Sequence, residues 1–133
     1  MKTGRIVAAM ALVTAGVVAL HAALAQQVGV RRVDLQRHDL SIAGREVIQT
    51  IVELEPGTMA PRHSHPGEEI IYVLEGTWEY TLEGQRPVTL EAGGVLFIPA
   101  GVIHSARIVG SKRGAELATY IVDKGKPLLT LAK

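Results

Sequence analysis

Between Gly57 and Gly76 the chain reads G-TMAPR-H-S-H-PGE-E-IIYVLE-G, and this stretch constrains the fold more than any other. Three strong metal-ligand side chains, His63, His65 and Glu69, fall within seven residues at the head of an apolar run. In an extended strand successive side chains alternate faces, so His63 and His65 point the same way, their Cα atoms roughly 7 Å apart. Imidazoles at that spacing can share one cation at about 2.0–2.1 Å per nitrogen. Pro66-Gly67 then makes a turn, and Glu69 keeps the parity of the two histidines as the next strand begins. Further on, His104 closes the run G-VLFIP-A-G-VI-H. An H-x-H pair alone is also what two exposed strand histidines look like. Glycine spacing, a carboxylate in register and the later Pro-x-Gly-x-x-His join the four residues into one expected site.

These residues resemble the cupin superfamily, whose first motif is G-x5-H-x-H-x3,4-E-x6-G. Here Gly57, His63, His65, Glu69 and Gly76 fill it without departure. The second cupin motif, G-x5-P-x-G-x2-H-x3-N, is filled by Gly93, Pro99, Gly101 and His104, but Ile108 stands where the pattern has Asn. The resemblance implies that His63, His65, Glu69 and His104 are metal ligands. The Asn is not a ligand in that pattern, so its loss bears on a local turn rather than on the metal. The motifs span residues 57–108, and the short segment between them, residues 77–92, is that of small single-domain bacterial cupins.

A length of 133 residues allows one domain. Residues 1–25 read as an export signal: Lys2 and Arg5 are basic, Ile6 to Leu20 is apolar, and Ala23-Leu24-Ala25 is an A-x-A cleavage site before Gln26. The competing reading is an uncleaved N-terminal membrane anchor, since Ile6 to Ala25 is just long enough to span. The expected organisation is therefore a signal peptide, 1–25, and a single β-barrel domain, 26–133, periplasmic or secreted. Losing Lys2 and Arg5 from 14 basic residues against 13 acidic ones moves the formal charge from +1 to −1. No basic or aromatic cluster suggests nucleic acid, and Arg31-Arg32 reads as a solvated start to the first strand. With no cysteine, neither a disulfide nor a thiolate nucleophile is available.

The mature chain reads as strands throughout. Val33 to Leu40 is an edge strand, and Glu46 to Glu55 puts Ile48, Thr50, Val52 and Leu54 on one face. Glu69 to Leu74 is apolar on both faces, as in a strand covered on both sides. Thr77 to Leu82, Arg86 to Leu90 and Val95 to Ile98 follow, and Val102 to Val109 pairs with Glu116 to Val122 across a turn at Gly110 to Gly114. Many short strands punctuated by turns mean an all-β sandwich or barrel. The cupin resemblance selects the double-sheet jelly roll, also called a double-stranded β-helix.

Three imidazoles and one carboxylate suit Mn, Fe, Co, Ni, Cu or Zn, and four protein ligands on an octahedral ion leave two positions open. One divalent ion per chain is the expected cofactor. The segment MKTGR holds a single arginine, so export proceeds unfolded and the metal is acquired outside the cytoplasm. There the affinity order favours Cu or Zn. Open positions are a catalytic arrangement, with Glu69 as ligand and proton acceptor. The expected function is a metal-dependent small-molecule enzyme, dioxygenase-like or a decarboxylase, lyase or isomerase. A non-catalytic metal- or ligand-binding barrel is the alternative. Exposed apolar strand edges and the family habit point to a homodimer. Arg62, Tyr72, Tyr80 and Gln49 are weaker candidates for the pocket wall. Trp78 reads as core or dimer interface, and His38 as a surface residue.

Overall fold

The computed structural model describes residues 28–133, which fold as strands joined by turns, with no helix among the described residues. The strands are β1 (Val30–Asp39), β2 (Arg45–Leu54), β3 (Met59–Ser64), β4 (Gly67–Glu75), β5 (Thr77–Leu82), β6 (Val88–Glu91), β7 (Val95–Ile98), β8 (His104–Ile108), β9 (Gly114–Asp123) and β10 (Thr130–Leu131). They form two five-stranded sheets, ordered β1-β2-β9-β4-β7 and β10-β3-β8-β5-β6, and every pairing is antiparallel. This is the expected all-β jelly roll. The expected export segment, residues 1–25, lies outside the described residues.

Alternation places the core. Along β2 burial alternates residue by residue, with Glu46, Ile48, Thr50, Val52 and Leu54 turned inward. Trp78 and Tyr80 come from the second sheet, and Leu54, Ile71, Val73, Tyr120 and Val122 from the first; none is more than 2 % exposed. Burying side chains of this size contributes about 1.5–3 kcal/mol each. Trp78 is core, its indole stacked on Tyr80 and its Nε1 donating to the Glu75 carbonyl at 3.0 Å. Ile108, at the Asn position of the second motif, is also core, and its side chain reaches over Gly114.

Three expectations change. The last hairpin does not form, because β8 pairs with β3 and β5 in one sheet while β9 pairs with β2 and β4 in the other, so the turn at Gly110 to Gly114 crosses between sheets. The strand from Glu69 to Leu74 is covered on one side only: Ile70, Tyr72 and Leu74 are 41 %, 46 % and 44 % exposed. An antiparallel sheet can leave its outer face apolar, so that run does not require a second covering layer. His65 is not on the strand of His63, because β3 ends at Ser64. It stands in the short connection to β4, where its ring is tied to the Leu128 carbonyl, and both imidazoles are buried.

Gly67 begins β4 hard against the β9 backbone. A Cβ there would stand 2.1 Å from the Ile121 carbonyl oxygen, so no other residue fits without moving backbone. Gly76 ends β4 with φ +83° against the Arg113 carbonyl, a conformation and a clearance that only glycine meets together.

Candidate metal centre

The site bridges the two sheets. His63 on β3 is directly opposite His104 on β8, and Glu69 on β4 lies opposite Tyr120 on β9. The nitrogens of His63, His65 and His104 all lie within 4.8 Å of one another, and all three residues are buried. Two nitrogens on opposite sides of one ion are about 4 Å apart, so the cluster is ion-sized. Glu69 Oε2 lies 3.2 Å from His65 Nε2 and 3.1 Å from His104 Nε2. The four residues singled out in the sequence therefore converge.

Backbone carbonyls set the orientation of each ring. His63 Nδ1 donates to the Pro61 carbonyl at 2.6 Å, His65 Nδ1 to that of Leu128 at 2.6 Å, and His104 Nδ1 to that of Val102 at 3.0 Å. A carbonyl only accepts, so the proton of each neutral imidazole sits on Nδ1 and the Nε2 lone pair turns inward. His65 Nε2 and Glu69 Oε2 are buried and lack a hydrogen-bond partner although they face each other. Two acceptors in contact repel unless a cation lies between them. The donor set thus fits one divalent ion held by three imidazoles and a carboxylate.

Electrostatics agree. Burial brings the His63 pKa down to about 4, so the ring is neutral at neutral pH. Burial acts the same way on His104, but the Glu69 carboxylate more than offsets it and the pKa is raised. For Glu69, burial pushes upward and the two imidazoles outweigh it, leaving a carboxylate well below its usual range.

Residues outside the two motifs complete the cavity. Tyr120 packs its ring against His65 at 4.8 Å between centroids. Deeper in, the Tyr80 hydroxyl donates to the Glu116 carboxylate. Burial, with the nearby Glu69 charge, raises the Glu116 pKa to about 8, so this acid is protonated at neutral pH. Arg32, His63, Glu69, Glu116 and Tyr120 line one small cavity of about 20 Å³. A larger groove of about 680 Å³ runs between β1 and residues 125–128. Its Arg37–Glu46 ion pair is already satisfied at 2.6 Å and it holds none of the four converging residues, so the chemistry belongs to the smaller cavity.

Of the weaker candidates only Tyr80 reaches the cavity. Arg62 is exposed and paired with Glu83 at 2.7 Å, Tyr72 is on the outer face, and Gln49 bonds Gln36 and Thr119 on that same outer face. His38 is exposed. Tyr120, Glu116 and Arg32 were not legible as site residues. The available signal was parity: Glu116 alternates in phase with the inward Ala118, Tyr120 and Val122, a charge where the pattern calls for an apolar residue.

Comparison with known proteins gives this geometry a context. A cupin-domain family model matches residues 50–122, more than half of the chain, and takes in all four converging residues. The dimethylsulfoniopropionate lyase DddQ of Ruegeria pomeroyi is 39% identical over 57 residues, which are 43% of this chain and 28% of that protein. The crystal structure of DddQ from that organism matches at TM-score 0.60 and 29% identity, covering 65% of this chain and 43% of that one. A cupin-like protein of Thermotoga maritima matches at TM-score 0.64 over 77% of this chain and 75% of that one; at 23% identity the likeness is one of fold. The chain spans less than half the length of the lyase it matches.

Proposed function

This chain belongs to the cupin-domain family, and we propose that it is a metal-dependent lyase acting on a small organic acid. One divalent transition-metal ion is held by His63, His65, His104 and Glu69. The observation that carries the reading is the convergence of three buried imidazoles on a buried carboxylate, with His65 Nε2 and Glu69 Oε2 in contact and neither hydrogen-bonded. Lyase is preferred over dioxygenase, decarboxylase or isomerase because the curated relative above 30% identity is a dimethylsulfoniopropionate lyase.

Bound there, the ion supplies Lewis acidity. The chain's residues do the rest. The carbonyls of Pro61, Leu128 and Val102 hold the rings in the ligating tautomer. Glu69 is ligand and proton acceptor; its low pKa suits the first role, and the second is the part open to test by Glu69→Gln. Tyr120, Trp78 and the aliphatic wall exclude bulk water, which strengthens every charge interaction inside. Export with cleavage after Ala25, loading with Cu or Zn outside the cytoplasm, and a homodimer formed through the outer face of β4 and β7 belong to the same reading.

Dimethylsulfoniopropionate cleavage is followed by proton NMR with chelator-treated protein and with protein reloaded with Zn, Cu, Fe, Mn, Ni or Co in turn. Turnover that appears on reloading, and is lost in Glu69→Gln with metal still bound, supports the reading. Cleavage by metal-free protein at the same rate contradicts it. Saturable binding of the acid without cleavage under any metal turns the assignment to the non-catalytic barrel.

A further inference from the structure

We propose that Arg32 is the anion anchor of this site, its guanidinium taking the carboxylate of a small monocarboxylate whose other end lies against the His63–His65–His104–Glu69 cluster. The inference rests on the lyase reading for calling that ligand a substrate; the anchor itself stands on the following geometry.

Arginines 31, 37, 45, 62, 107 and 113 each donate to a carboxylate between 2.6 and 3.3 Å away. Among the described residues the side chains of Arg32 and Arg86 have no hydrogen-bond or ion-pair partner. Arg86 is an exposed residue between β5 and β6, where water solvates it. Arg32 is half-buried and lines the cavity of the cluster. Leaving a guanidinium there without a partner is unfavourable, and its planar fork matches a carboxylate in two parallel hydrogen bonds.

Register explains the missing partner. Arg31 lies opposite Glu53 and points outward to pair with it at 2.6 Å. Arg32 lies opposite the buried Val52, and Val52 in turn lies opposite Glu116 on β9, so Arg32 faces inward on the row of Glu116. Two strand spacings, roughly 10 Å at the Cα, separate Arg32 from Glu116. Glu116 is engaged by the Tyr80 hydroxyl, and although Arg32 and Glu116 interact through space, no hydrogen bond or ion pair joins them. Asp34, the next inward residue of β1, accepts from the Thr50 hydroxyl at 3.2 Å and forms no ion pair with Arg32. With a divalent ion on the cluster, Glu69 offsets only part of its charge, and Arg32 leaves the whole cavity positive.

Access points the same way. The cavity of about 20 Å³ has room for a single water-sized group. Arg32 is the one lining residue that is not buried, and β1 is an edge strand. A carboxylate arriving at that open edge therefore meets Arg32 first.

Propionate and its neutral counterpart propionamide, titrated into chelator-treated protein and followed by amide NMR shifts, read the anchor without turnover. Propionate is expected to bind wild type and Arg86→Gln alike, propionamide neither, and Arg32→Gln at least about tenfold more weakly at an unchanged Tm. No propionate binding to wild type, equal binding of the two probes, or undiminished binding by Arg32→Gln overturns the proposal. With dimethylsulfoniopropionate and reloaded protein, Arg32→Gln should raise KM by about the same factor and move kcat little. Arg32-dependent propionate binding without turnover leaves the anchor standing while the lyase reading falls. Turnover with KM unchanged in Arg32→Gln does the reverse.

Discussion

His65 Nε2 and Glu69 Oε2 lie 3.2 Å apart, each an acceptor with nothing to accept, and most of the site's behaviour follows from that pair. In metal-free protein the nearest remedy is a proton, and His104, whose pKa is raised beside Glu69, is the group that takes it. Metal and proton then compete, so metal affinity should rise with pH through the His104 titration, with protons released on binding. His63, neutral above about pH 4, adds no competition near neutrality. Zinc titrations at pH 5.5 and 7.5 check this; equal affinity at both would remove His104 from the ligand set. Glu116 gives a prediction of opposite sign. Its folded pKa of about 8 lies above the ordinary glutamate value of 4.5, so the folded state holds a proton the unfolded state has lost, and stability falls as pH rises between those values. In metal-free protein the Tm of Glu116→Gln relative to wild type should therefore climb from pH 5 to pH 8; a constant difference would mean that Glu116 is ionised in the fold. The four converging residues were legible because a spacing motif announces them. Glu116, Tyr120 and Arg32 were not, because their meaning depends on which strands the topology places beside the cluster.

At the scale of elements, the β3–β4 connection does the positioning. It places His65 outside β3 yet inward, by tying its Nδ1 to the Leu128 carbonyl and its own carbonyl to the Gly101 amide at 3.1 Å. Gly67 makes the connection possible by letting β4 start against the β9 backbone. Gly67→Ala is expected to cost about 1–3 kcal/mol, or more if the β9 backbone cannot yield, and to lower metal affinity with it. An unchanged Tm would show that the crossing has slack. Strand periods were readable because β2 and β5 alternate strictly and β9 does so from Glu116 onward. The β4 run misled because Ile70, Tyr72 and Leu74 are apolar yet outward, and hydropathy alone cannot tell a buried face from an exposed one. β10 was missed because two residues carry no period.

For the whole molecule, two sheets closing on one core bring histidines from β3 and β8 to a carboxylate from β4, a convergence neither sheet achieves alone. The jelly roll followed from turn spacing and the two motifs together; turn spacing alone left sandwich and barrel open. The outer face of the first sheet carries Ile70 opposite Phe97 and Tyr72 opposite Val95, all between 41 % and 65 % exposed. In a homodimer through this face, Phe97→Asp should shift sedimentation from dimer to monomer without changing metal content; a monomeric wild type would refute that arrangement. The central claim is the bound metal. Its most direct test is elemental analysis of the protein, purified from its native source without chelator, beside a His63→Ala/His104→Ala variant. One transition-metal ion per chain is expected in the wild type and none in the variant. No metal in the folded wild type, or the same metal in both, would contradict it.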